Sequence, residues 1–178
     1  MAQVRAPMAG TVLELPVSQG DTVRLGAIEV RVLDTPGHTA GHIVYYIPSI
    51  STAFVGDTLF ALGCGRLFEG TADQMWASLS KLRGLPDDTT IYCAHEYTAA
   101  NAAFALSVDP DNAALIDYAE DVKQKRSRNV PTVPTTIAKE KAANPFLRAD
   151  ILPFQKAMGH AGDAVATFAE VRKRKDNF

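Results

Sequence analysis

Glycine is distributed unevenly along this chain, and that asymmetry limits the folds open to it. Only two of the twelve glycines, Gly159 and Gly162, lie beyond residue 97. The others punctuate short β-rich runs, whereas residues 98–178 are rich in Ala, Lys, Arg and Glu. Glycine serves tight turns and close backbone approaches, and it weakens a helix interior by roughly 0.5–1 kcal/mol relative to alanine. The pattern predicts an α+β chain, with a strand-bearing domain over residues 1–97 and a helical domain over 98–178. A chain of 178 residues can bury roughly 70% of the surface its unfolded form exposes, so it needs no staples.

Several classes are excluded by composition. Hydrophobic residues at 47% and charged residues at 21% are ordinary globular usage. The formal charge is −2, so no basic footprint predicts nucleic acid. No run approaches the ~18 apolar residues of a membrane span, and MAQVRAPMAG has no signal-peptide apolar core. The two cysteines, Cys64 and Cys93, cannot build a disulfide framework. A cytoplasmic protein without nucleic-acid or membrane partners is expected.

In the first half, IEVRVL (28–33) largely alternates apolar and charged residues, as a strand with one buried face does, and Pro36-Gly37 ends it. IVYYI (43–47), TAFV (52–55) and Thr89 to Cys93 read as further strands. A glycine-rich loop, LGCGRLFEG, runs from Leu62 to Gly70. Thr71 and Gln74 fit a capping box that opens a helix with Met75, Trp76, Leu79 and Leu82 on one face. In the second half, helix starts fall at Thr98, at Asp109 to Asn112, near Thr136 and at Asp163. Asp163 precedes a stripe of Val165, Phe168, Ala169 and Val171, and VPTVPTT (130–136) is a proline-set extended connection.

Polar residues just past strand ends gather at a sheet rim, where ligands bind. Three strand-end words carry such residues: His38 and His42 in TPGHTAGH, Asp57 in FVGDTLF, and His95 in IYCAHEYT. Two imidazoles and a carboxylate at one point suit Zn²⁺ or Fe²⁺. Taken singly, each residue has a plainer reading: a histidine after a strand usually serves a turn, and an aspartate after glycine usually forms one. His42 is read as structural. In isolation, RKRK (172–175) reads as a solvated helix end complementing the helix dipole.

Taken in order, TPGHTAGH, GDTLFALGCGRLFEGT and YCAHEYT resemble glyoxalase II, the hydroxyacylglutathione hydrolases of the metallo-β-lactamase fold group. The resemblance continues through DPDNAAL, PTVPTT, NPFLR (144–148) and FAEVRKRKDNF, and covers about residues 17–178. It implies a partial αββα sandwich followed by a small helical domain. It also implies two divalent metal ions, usually zinc, with iron or manganese as alternatives. His38 would bind one ion, His95 the other, and Asp57 would bridge them and take part in catalysis. The implied reaction is hydrolysis of S-D-lactoylglutathione to D-lactate and glutathione by a metal-bound hydroxide, which detoxifies methylglyoxal. Glutathione's carboxylates would meet Arg66, Arg172 and Lys175, with Phe68 and Tyr97 beside the thioester. Phe68 stands where some members have tyrosine. Cys64 and Cys93 then read as small packed residues.

The family's THxHxDH motif does not occur in this sequence, whose first histidine is His38. Each ion is left one imidazole and a share of Asp57, against about three protein ligands for catalytic zinc. Weak metal retention, poor hydrolysis and self-association through uncovered strand edges are therefore expected of these residues alone. A late start in an ordinary enzyme, a natural remnant, and assembly with a second polypeptide all fit, the first best. Residues 4–12 (VRAPMAGTV), read on through VSQGDTVRLG, resemble the first half of a biotinyl or lipoyl carrier, but the first lysine is Lys81 and no modifiable hairpin lysine follows. Two alternative functions stay open: a mononuclear iron relative acting on glutathione persulfide, and a metal-free remnant that only binds glutathione or a partner protein.

Overall fold

A computed structural model describes residues 20–178; the carrier-like stretch 4–12 lies outside them. Strands β1 (Thr22–Leu25), β2 (Ile28–Asp34), β3 (Ile43–Ile47), β4 (Thr52–Gly56), β7 (Thr90–Cys93) and β8 (Thr135–Thr136) form one sheet in the order β1-β2-β3-β4-β7-β8. Two short strands, β5 (Leu59–Phe60) and β6 (Gly63–Cys64), make a separate hairpin. All neighbouring pairs are antiparallel except β4 and β7, which run parallel. Parallel strands need a crossover, and helix α1 (Ala72–Arg83) lies within it. The helices α2 (Thr98–Val108), α3 (Ala113–Ser127), α4 (Ile137–Ala143), α5 (Leu152–Met158) and α6 (Ala164–Asp176) follow β7. The chain is thus a mixed sheet followed by a helical part. Among the described residues, no helix is long and apolar enough to cross a membrane.

Period-two patterning sorts the sheet into two faces. Val44, Tyr46, Ala53, Val55 and Ile91 point one way and are buried in a core shared with Met75, Leu79 and Leu82 of α1, whereas Val30 and Val32, also buried, lie on the other face beside Tyr45. A run of ring contacts extends that core into the helices: Trp76 against Phe168, Phe168 against Phe146, and Phe146 against Phe104. On the opposite face, Phe54 and Tyr92 stack on each other with centroids 5.4 Å apart and stay exposed.

Local signals place most elements where the sequence predicts them. The Thr71–Gln74 capping box is present on both sides. Asn112, Thr136 and Asp163 each accept a backbone N–H at a helix start. Besides strands β1 and β8, two features fall outside the sequence-based expectations. The first is the β5–β6 hairpin at the start of the glycine-rich segment, and the second is α5, which begins on Leu152-Pro153 and ends on left-handed Gly159.

Candidate functional site

Strands β2, β4 and β7 point the same way, because β2 and β4 are both antiparallel to β3 and β4 is parallel to β7. The residues that follow their C-terminal ends therefore meet at one rim. His38 lies in the turn after β2, Asp57 directly follows Gly56, and His95 comes two residues after Cys93, which pairs with Gly56. The two imidazoles approach different oxygens of a single carboxylate: His38 Nε2 is 3.8 Å from Asp57 Oδ2, and His95 Nε2 is 3.1 Å from Asp57 Oδ1.

The His38 ring is oriented from behind. Its Nδ1 lies 2.8 Å from the Arg66 carbonyl oxygen. A carbonyl only accepts, so Nδ1–H donates, leaving Nε2 as the ring nitrogen that faces Asp57. The glycine-rich loop makes this possible by lying flat on the His38 turn. Phe68 N–H donates to His38 O, Gly70 N–H to Gly37 O, and the Glu69 carboxylate takes the Ala40 N–H at 2.6 Å. A Cβ on Gly65 would overlap the Asp57 carbonyl oxygen and come within 3.1 Å of His38 Nδ1. Glycine is required there by close approach.

His42 is turned to the backbone, in line with its structural reading. Its Nε2 accepts the Asp57 N–H at 3.0 Å. Its ring fills the space beside Gly56, where φ is +51° and a Cβ would stand 2.6 Å from Nε2. Burial holds its pKa below the ordinary histidine value.

Aromatic rings wall the two imidazoles. Phe68 packs 4.9 Å from His38, and Tyr97 stacks on His95 at 4.8 Å with the planes 15° apart. Both rings are largely exposed. The basic residues are spread more widely. Arg66 is exposed, its Nε 3.3 Å from Asp176 Oδ1. The same oxygen takes Arg172 Nη2 at 2.8 Å. Arg172 is only 7% exposed, and its Nη1 donates to Cys64 O at 3.2 Å. The structure thus builds Arg172 into the packing between α6 and the hairpin, while Arg66 stays exposed in its ion pair with Asp176. Lys175 donates to Ala100 O and lies over the Phe104 and Phe178 rings.

The donor set suits divalent metal in kind. Two Nε2 atoms and two carboxylate oxygens offer one imidazole and one oxygen toward each of two positions. Among the described residues, no three His, Cys, Asp or Glu side chains gather closely enough to hold one ion by themselves. Neither cysteine joins the set. Cys64 is buried beneath Arg172, and burial pushes its thiol up to about 11.

A raised thiol pKa favours the protonated form in the native state, so the linked stability is fully present below pH 9 and lost as pH rises through 11. The loss should reach about 2–3 kcal/mol. Chemical denaturation at pH 8.5 and pH 11 should show it, and the loss should shrink in Cys64→Ala.

Sequence reasoning missed the residues that support the loops. Glu69, in LFEG, and Asn144, in NPFLR, sit inside words whose resemblance assigns these two residues no role. Glu140 carries no motif; only its place on a helix otherwise set against the core could have marked it.

Comparison with known proteins agrees with this geometry. Residues 3–95 match the metallo-beta-lactamase superfamily, and residues 96–178 match the hydroxyacylglutathione hydrolase C-terminus. A hydroxyacylglutathione hydrolase of Maricaulis maris is 58% identical over 167 residues, covering 93% of this chain and 65% of that protein. One from Hyphomonas neptunium is 54% identical over 162 residues, covering 91% and 63%. The chain therefore spans a little under two thirds of the length of these relatives. Among solved structures, ETHE1 from Myxococcus xanthus superposes with a TM-score of 0.59 at 27% identity, covering 94% of this chain and 55% of that one. A di-iron-bound form of TTHA1623 superposes with a TM-score of 0.50 at 26% identity, covering 77% and 50%.

Proposed function

The chain belongs to the hydroxyacylglutathione hydrolase family of the metallo-β-lactamase superfamily, and from that premise we propose that the whole protein hydrolyses glutathione thioesters, S-D-lactoylglutathione above all, in the cytoplasmic detoxification of methylglyoxal. The observation that carries the reading is the convergence of His38 and His95 on opposite oxygens of Asp57. The family implies divalent metal; zinc, or else iron or manganese, suits imidazole and carboxylate donors.

In this reading His38, Asp57 and His95 would hold the metal, one imidazole on each side of the shared carboxylate. Bound there, the ions would polarise the thioester carbonyl and make water acidic enough to attack near neutral pH. The chain's own residues do the rest. The Arg66 carbonyl fixes the His38 tautomer. Phe68 and Tyr97 cover the imidazoles and keep bulk water from the reacting carbonyl. Arg66 would exchange its Asp176 partner for a glutathione carboxylate, Lys175 would add positive charge beyond it, and Arg172 holds Asp176 and the hairpin behind them. Residues 1–97 carry the metal chemistry, and 98–178 form the helical domain that completes the substrate side.

Metal content and lactoylglutathione turnover, measured on these residues and on the same chain extended with a THxHxDH-bearing segment of the family, test the reading. The extended protein should turn over the thioester. Arg66→Ala in it should raise KM with little change in kcat, since a remote carboxylate contact acts alike in ground and transition states. Full metal loading without thioester turnover would overturn the proposal, and turnover of glutathione persulfide instead would favour the iron-enzyme alternative.

A further inference from the structure

Glu140 on α4 is fully buried, and its carboxylate accepts from four neutral donors. Oε2 takes Leu62 N–H at 2.8 Å and Asn144 Nδ2 at 2.9 Å, and Oε1 takes the Thr135 hydroxyl at 2.7 Å and the Tyr118 hydroxyl at 3.2 Å. A buried carboxyl without a cation is costly unless it satisfies something that has no other partner. Here that partner is the backbone of Leu62, which is held in the left-handed region at φ +58°. A branched, non-glycine residue stays in that region only when its surroundings enforce it.

Glu140 is one of several clamps on the same turn. Asn144 Nδ2 also reaches Phe60 O and Gly63 O, Asn101 Nδ2 reaches Ala61 O, and Arg172 Nη1 reaches Cys64 O. Each residue from 60 to 64 therefore gives a backbone group to a side chain of α2, of α4 or the Asn144 that caps it, or of α6. The far side of this turn faces the site: the Phe60 ring stands edge-on to Tyr97 at 5.5 Å and to His95 at 5.9 Å. The Cys93 thiol touches both parts, meeting the Ala61 backbone and lying 3.4 Å from His95 O.

We propose that Glu140 is a positioning residue for the site: by holding the 59–64 hairpin in its left-handed turn it seats Phe60 against His95 and Tyr97 and so fixes the aim of the His95 imidazole at Asp57. Its bearing on catalysis rests on the proposed function, but its effect on the hairpin does not.

The Cys93 thiol reports that seating directly. Alkylation of Cys93 in the native protein, resolved from Cys64 by peptide mass, should run at near the wild-type rate in Glu140→Gln. The amide oxygen can still take Leu62 N–H there, and the two hydroxyls can turn to accept. Glu140→Asp keeps the charge but lacks the reach to span Leu62 and Thr135, and should label several-fold faster. Glu140→Leu should label about ten-fold faster or more. Leu82→Ala, compared at a temperature giving equal global stability, should stay within about two-fold of wild type. Unchanged labelling in Glu140→Asp overturns the proposal, whether or not Glu140→Leu folds. Equal acceleration in Leu82→Ala overturns it too, since the effect would then be general loosening. Failure of the hydrolase reading appears elsewhere, as a metal-loaded extended protein that does not turn over thioester while this labelling order is kept.

Discussion

In the protein extended with the THxHxDH segment, Asp57→Ala is expected to empty the proposed metal positions and to lower kcat/KM for lactoylglutathione by at least about 10³-fold, equivalent to ~4 kcal/mol of transition-state stabilisation. The geometry sets that size. Each imidazole faces its own oxygen of this one carboxylate, so deleting it removes one donor from each position and the anionic charge that offsets repulsion between two cations. Asp57→Asn separates these contributions: one oxygen remains, so one ion should stay where two were bound. Metal analysis of the zinc-loaded extended protein reads both outcomes. The fold should survive, because the Asp57 side chain lies at the rim and keeps its backbone bond to His42. Two ions retained in Asp57→Ala would mean that the carboxylate does not bridge.

The second large effect should come from Arg172. Its guanidinium joins Cys64 O to Asp176 and lies over the Phe146 ring at 5.2 Å. Truncation removes two charge-assisted hydrogen bonds and the packing of a buried stem, so Arg172→Ala should cost about 2–3 kcal/mol. In a chain of this size that is a fall in Tm of roughly 5–10 °C. Arg66→Ala should leave Tm nearly unchanged, since exposed ion pairs contribute little. Thermal melts of the two variants side by side make the comparison. Similar Tm values would return Arg172 to the role of a simple surface cation.

That contrast shows where the sequence was legible. Strand ends followed by His or Asp could be read because period-two patterning and turn residues act locally, and the three site residues lie a few positions beyond such signals. Capping residues such as Thr71, Asn112 and Asp163 announce helix starts for the same reason. RKRK carries no such information, because burial depends on what lies opposite: the spacing cannot tell that Arg172 turns inward to Cys64 while Lys173 and Arg174 stay outside. The Glu140 cluster was equally silent, since its partners Leu62, Tyr118, Thr135 and Asn144 come from four separate stretches of chain.

The parallel pairing of β4 with β7 bears on the order in which the molecule assembles. β2, β3 and β4 are joined by short connections and can find their register locally, so His38 and Asp57 can be brought to one rim early. His95 is different: β7 reaches β4 only after the hairpin, the glycine-rich loop and α1 have all been laid down between them. Closing so long a loop adds little to the equilibrium cost, because loop entropy grows only with the logarithm of length. It weighs on rate instead, as distant pairings do. The second imidazole is therefore expected to be the last of the three to arrive.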